Sequence, residues 1–241
     1  MKNLKDYINE SKSDINMSPY TKAELKQLIK TLIRRRGLKA NLNDIDTSKI
    51  TDMSELFEYS KFNGDISKWN VRKVTNMNRM FYYSKFNGDI SGWDVRKVEN
   101  MENMFENSDF NGDISKWNVR KVENMDFMFA NTHFDKDISN WDVSKVIGMY
   151  SMFANSEFNG DLSKWDVSNV KSMGYMFAWS KFNNPSICDW DVSNVEHMSS
   201  MFLNSAFNQD ISNWNINKDC STNVMFDHCP IKEEYKPKLN K

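Results

Sequence analysis

Apolar residues return along this chain at a fixed interval. In one copy Ile66, Trp69, Val71, Val74, Met77, Met80 and Phe81 are apolar, and polar residues fill the places between them. Trp69, Trp93, Trp117, Trp141, Trp165, Trp190 and Trp214 mark the register, 24 residues apart except for 25 between Trp165 and Trp190. A degenerate first copy has Ile45 at the tryptophan position, followed by Ile50, Met53, Leu56 and Phe57. Self-similarity at this period predicts about eight stacked supersecondary units, each unable to bury its own edges alone.

Two finer periods run inside each copy. Ile66, Trp69, Val71 and Val74 follow an L-x-x-L-x-L-x-x-hydrophobic spacing, which in leucine-rich repeats places a short strand on the concave wall. Alternation along that strand points Trp69 and Val71 inward and Asn70 outward. Val74, Met77, Met80 and Phe81 then recur at three and four, which predicts a helical turn or short helix. Ser193 with Glu196 has the form of a capping box at such a helix start. The corner Phe62-Asn63-Gly64-Asp65 supplies residues suited to a left-handed backbone angle and to local side-chain bonds. The unit is thus strand, turn and short helix, and its repetition predicts an α/β solenoid. The expected core is the tryptophan column together with Phe81, Phe105, Phe129, Phe153, Phe177 and Phe202, with the methionines as fillers beside them. In the seventh copy Pro185 and one extra residue predict a bulge at the corner.

Four segments follow. Residues 1–17 carry Leu4, Tyr7 and Ile8 at helical spacing and read as an amphipathic tail and linker. Residues 18–41 hold a helix with Pro19 in the first turn, a Thr21/Glu24 capping box and an apolar face of Leu25, Leu28, Ile29, Leu32 and Ile33. Gly37 ends it after Arg34-Arg35-Arg36, and it is placed to cap the first coil. Residues 42–229 are the repeats, and 230–241 form a C-terminal cap and tail.

Charge alters this picture locally. The 241 residues sum to −1, which gives no global drive toward nucleic acid or anionic membrane. Residues 1–41 hold ten Lys/Arg against four Asp/Glu, leaving −7 on the rest. No apolar run is long enough to span a membrane. The sequence Met1 to Glu10 has no signal-type apolar region and no lipid-attachment cysteine, so the expected location is intracellular or packaged in a virion. Three cysteines make no disulfide framework.

The motif F-N-x-D-[IL]-S-x-W-[DN]-V-S-[NK]-V-x-x-M-x-x-M-F, over roughly residues 40–235, resembles the 24–26-residue repeat of BspA-like leucine-rich-repeat surface proteins, the mycoplasma-type surface lipoprotein repeat. The resemblance implies a leucine-rich-repeat-like right-handed coil and a binding or adhesion role. The first eleven residues look like the N-terminal head-targeting peptides of internal proteins in large tailed bacteriophages. That likeness supports an alternative, a structural or packaged protein addressed by its N-terminal peptide.

No catalytic constellation is evident, and no enzyme activity or cofactor is expected. His228 and Cys229, with Cys220 nearby, lack a fourth ligand, so no metal site is expected. The Asn-Gly-Asp corners fall short of the dense glycine and aspartate pattern of calcium turns. Their aspartates are expected to bond their own backbone amides instead. The candidate binding residues lie in three outward columns: Lys68 and Lys116; Asn70, Asp94 and Asn118; Arg72, Arg96 and Arg120. Stacked about 5 Å apart, like charges repel by roughly 0.8–3 kcal/mol per pair, so a row of three arginines suits an acidic partner. That partner is expected to be another protein or a surface glycan rather than nucleic acid.

Overall fold

The structure, a computed structural model, describes residues 16–238. The pattern of Leu4, Tyr7 and Ile8 lies outside them. Helix α1 (Lys22–Arg36) opens the described chain. Thr21 caps it: its Oγ1 accepts from the Glu24 amide, and the Glu24 carboxylate accepts from the Thr21 amide, both at 3.2 Å. Two otherwise orphaned donors are thereby satisfied. Pro19 lies before the cap rather than in the first turn. Gly37 ends the helix at φ 90°, an angle that favours glycine. Leu25, Leu28, Ile29 and Leu32 are buried, and Lys22 and Lys26 reach Asp52 and Glu55 of the first copy at 3.7 and 3.6 Å.

Beyond α1, hydrogen bonds tie each coil to the next. Parallel bridges join Asp52 to Asn76, Asn76 to Asn100, and so on through Asn124, Gly148, Ser172, His197 and Ser221. From this column onward alternate amides face the following coil. Met77, Arg79, Phe81 and Tyr83 donate to the carbonyls of Asn100, Glu102, Met104 and Glu106, each at 2.9 Å. The amides between them close tight turns, Met80 onto Met77 and Ser84 onto Phe81, at 3.1 Å. The third residue of each of these two turns is left-handed, Arg79 at φ 54° and Tyr83 at φ 50°. Every copy repeats this pair, from Glu55 and Tyr59 to Val224 and His228.

This arrangement corrects three expectations. The short helix over Val74 to Phe81 does not form, because its amides are committed to the neighbouring coil. Successive four-residue turns bury side chains at three- and four-residue intervals, as a helix does, so the two share one apolar pattern. Nor is there a strand at Trp69–Val71. Trp69 donates to Ile66 and Val74 to Val71, closing turns at 3.1 and 2.9 Å, and the bridging lies where the helix was expected. Trp69 and Val71 are nevertheless buried and Asn70 exposed. Finally, Ser193 caps no helix: its amide and Oγ both donate to Asp191 Oδ1, at 3.1 and 2.6 Å. Among the described residues α1 is the one α-helix.

Stacking builds the core from columns of identical residues. Phe57, Phe81, Phe105 and their successors lie 5.5–5.8 Å apart, centroid to centroid. A second ladder, Phe62, Phe86, Phe110 and Phe134, repeats at 6.3–6.4 Å. Each indole Nε1 of the register column donates to a backbone carbonyl in the preceding coil, Trp69 to Leu42 at 3.0 Å and Trp117 to Ile90 at 3.1 Å. The same bond recurs for Trp93, Trp141, Trp165, Trp190 and Trp214. A phenylalanine would fill much of that space but leave the carbonyl without this donor.

The corner glycines act by space rather than by backbone angle, since among the described residues only Gly37 of the glycines has positive φ. A Cβ on Gly64 would meet Ala40 O at 2.1 Å and the Phe62 ring at 2.6 Å. The corner aspartates do bond their own turns: Asp65, Asp89 and Asp113 accept from Ser67, Ser91 and Ser115 amides at 2.9–3.0 Å. The seventh copy takes up its extra residue at the corner, as a 3-10 turn (Pro185–Ile187) capped by Asn184 rather than as a bulge. At the far end a second 3-10 turn (Glu233–Tyr235) lies against the last copy, with Tyr235 O accepting from Ile211 at 3.0 Å.

Candidate interaction surface

The expected binding residues sit on the turns that flank each tryptophan, not on a strand. Two of the polar positions serve the turn itself: Asn70 and Asn118 accept from the Arg72 and Arg120 amides at 3.2 and 3.4 Å. Asp94 does more. It accepts from Arg96 Nε and Nη2 at 2.7 Å, and Arg72 Nε approaches it at 3.4 Å from the preceding coil. The Arg96 guanidinium holds the Asp94 carboxyl below its ordinary range. The structure thus brings Arg72, Asp94 and Arg96 into one cluster, beside a shallow recess that Lys68 also lines. Lys116 and Arg120 continue the row one coil further. Among the described residues neither makes an ion pair, and neither do Lys73, Lys97 and Lys121. This edge of copies two to four is basic, with Asp94 its one carboxylate at these positions.

The bridged segments carry the opposite charge. Over the first four copies they hold Asp52, Glu55, Glu58, Glu99, Glu102, Glu106, Glu123 and Asp126 against Arg79 alone. Two of these carboxyls are partly withdrawn from water, and burial pushes both upward. Glu106 accepts from the side-chain amides of Asn103 and Asn107. Asp126 has a structural task. In three copies the bridging residue is Asn76, Asn100 or Asn124, whose Oδ1 accepts the amide two residues on, at 2.8–3.0 Å. Gly148 has no side chain to do this, and Asp126 Oδ1 takes the Tyr150 amide instead at 2.7 Å. A Cβ on Gly148 would lie 2.7 Å from that oxygen.

Aromatic side chains gather on the same segments. Tyr59, Tyr82 and Tyr83 pack together at 4.7–5.4 Å. The Arg79 guanidinium lies 4.1 Å over Tyr82 and pairs with Glu58 at 2.6 Å. Burial first, then nearby Glu106, pushes the Tyr82 hydroxyl up to about 12. Further along, Phe127, Tyr150, Tyr175 and Trp179 follow one another at 5.2, 5.6 and 6.0 Å. The sequence alone does not single out Phe127, Tyr150, Tyr175 and Trp179, because they are spread over more than one position within their copies. Read as extended turns with a 24-residue register, they fall in adjacent columns.

Among the described residues no group of three or more His, Cys, Asp or Glu is placed to hold an ion. No helix among them is long and apolar enough to cross a membrane.

Uniform ladders of bridges, rings and indole bonds at one fixed interval define a tandem-repeat protein. The chain belongs to the family described as Mycoplasma protein of unknown function, DUF285, which matches residues 24–133 and again residues 128–237. The mycoplasma-type repeat expected from the motif is therefore present. No curated protein and no solved structure matches this chain.

Proposed function

We propose that the chain is a non-enzymatic recognition module, a solenoid with α1 as its N-terminal cap, that docks an acidic protein partner on its basic turn edge. The observation carrying this reading is the row Arg72, Arg96 and Arg120. Arg72 and Arg96 share one carboxylate, Asp94, and among the described residues Arg120 makes no ion pair, so the row has more positive charge than its ion pairs neutralise. Charge of this kind steers association and sets salt dependence more than it adds raw affinity. The likeness to BspA-like leucine-rich repeats agrees with a binding role and with the in-register core.

The test is fluorescence anisotropy with a labelled poly-glutamate peptide, comparing the natural chain with the Arg72→Glu, Arg96→Glu, Arg120→Glu triple variant. The natural chain is expected to bind with an affinity that falls as salt rises, and the variant to lose at least about tenfold, equivalent to roughly 1.4 kcal/mol. Equal binding by the variant would overturn the reading. So would preference for a single-stranded DNA probe over the peptide, since the acidic bridged face disfavours a polyanion that wraps.

A further inference from the structure

Trp179 does not belong to the tryptophan register. It stands in the second left-handed column, at φ 55°. On either side that column holds Asn131, Asn155 and Asn204, the residue type that tolerates this backbone angle best after glycine. A large aromatic there is poorly suited to its backbone, and its side chain remains 48% exposed. It is also held in place: its ring stacks on Tyr175 at 6.0 Å and 19°, and its amide donates to Leu203 O at 2.8 Å.

The indole forms one wall of a small polar concavity. Asn155 Nδ2 donates to Asn131 Oδ1 at 2.8 Å, leaving the Asn131 amide donors and the Asn155 oxygen unengaged among the described residues. Glu157 is fixed between Lys181 at 2.6 Å and His133 at 3.4 Å. Ser156 lines the same concavity, is 3% exposed, and its Oγ has no hydrogen-bond partner. In the flanking coils the equivalent hydroxyls of Thr132 and Ser180 donate to Phe129 O and Phe177 O at 2.7 Å. Ser156 thus departs from a pattern its neighbours keep. Buried polar groups are normally satisfied, so this enclosed hydroxyl marks the place where the wall of the concavity departs from the repeat.

We infer that this concavity binds a neutral hexose-type saccharide, its C–H face on the Trp179 indole and its hydroxyls on Glu157 and the two asparagines. An indole wall beside planar amides and a carboxylate matches a ligand that is apolar on one face and hydroxylated around its rim. Glu157 is already neutralised by Lys181, so the site calls for no ligand charge. The site lies on a different edge, in copies four to six, and its failure would leave the reading of the arginine row untouched.

The experiment is saturation-transfer NMR on the full chain with methyl glucopyranoside, methyl galactopyranoside and methyl mannopyranoside at millimolar concentration. At least one is expected to receive transfer on its ring C–H protons. Trp179→Asn should abolish it while keeping or raising the thermal midpoint, because asparagine suits the backbone angle. Asn131→Ala, which removes the free amide donors, should weaken binding several-fold. Absence of transfer to all three, or transfer that persists in Trp179→Asn, overturns the inference. So does a signal from methyl glucuronide, run alongside as a charged control, when the three neutral glycosides give none, which would make the determinant charge rather than the indole and amide geometry.

Discussion

Ser151 offers a test in which the two readings of the repeat differ in sign. A helical reading places it inside a short helix; the structure holds it at φ 52°. Its amide pairs with Gly174 O at 2.8 Å in the next coil. Consider Ser151→Gly and Ser151→Ala together, so that loss of the hydroxyl is common to both. In a helix alanine would exceed glycine in stability by about 0.8–1 kcal/mol. At a left-handed angle the alanine Cβ costs about 1–2 kcal/mol, and glycine's extra unfolded-state entropy offsets about 0.5–1 kcal/mol of that. The glycine variant is then expected to be more stable by about 0.5–1 kcal/mol, a swing of about 1.3–2 kcal/mol between readings. Urea unfolding followed by far-UV circular dichroism resolves this, with both variants sharing the natural chain's slope. An alanine variant more stable than the glycine variant would refute the left-handed turn.

Other consequences follow from the same contacts. Trp141→Phe, which removes the indole bond to Ile114 O at 3.2 Å and part of a side chain only 2% exposed, should cost about 2–3 kcal/mol in urea unfolding; a cost near zero would show the bond to be incidental. Gly64→Ala drives a Cβ toward Ala40 O and should destabilise by about 1–3 kcal/mol, while Gly92→Ala, with open space at that position, should change little. Asp126→Asn keeps an oxygen for the Tyr150 amide and removes a carboxyl whose pKa is raised by burial. The natural carboxyl is relatively favourable below its unfolded pKa, and that advantage is lost as pH rises through the folded value. The variant should therefore be the more stable at neutral pH, with the gap closing on acidification; a gap that widens toward low pH would reverse the assignment. The corner aspartates Asp65, Asp89 and Asp113 are held low, chiefly by the serine amides, so their contribution is present above the unfolded aspartate value and lost as pH falls through the folded ones. Asp113→Asn should flatten acid unfolding between those limits.

What could be read from the chain alone was whatever depends on identity and interval. The register of Trp69 and its successors, the capping box at Thr21 and Glu24, the end of α1 at Gly37, the corner aspartates and the buried columns all follow from local chemistry or from a fixed period, and the folded chain keeps them. Tertiary structure decided what the backbone does between those points. Val74, Met77, Met80 and Phe81 are buried in a helix and in a run of turns alike, so their spacing does not distinguish the two. The choice is made by amides such as that of Arg79, which gain a carbonyl 23 residues away once the next coil is present. That partner exists only in the stack, and it holds residues such as Trp179 at an angle no local preference would select. The same displacement moved the surface: the Arg72, Arg96 and Arg120 row lies on turns, and the acidic, aromatic face opposite in charge came into view only when the bridged columns were placed side by side.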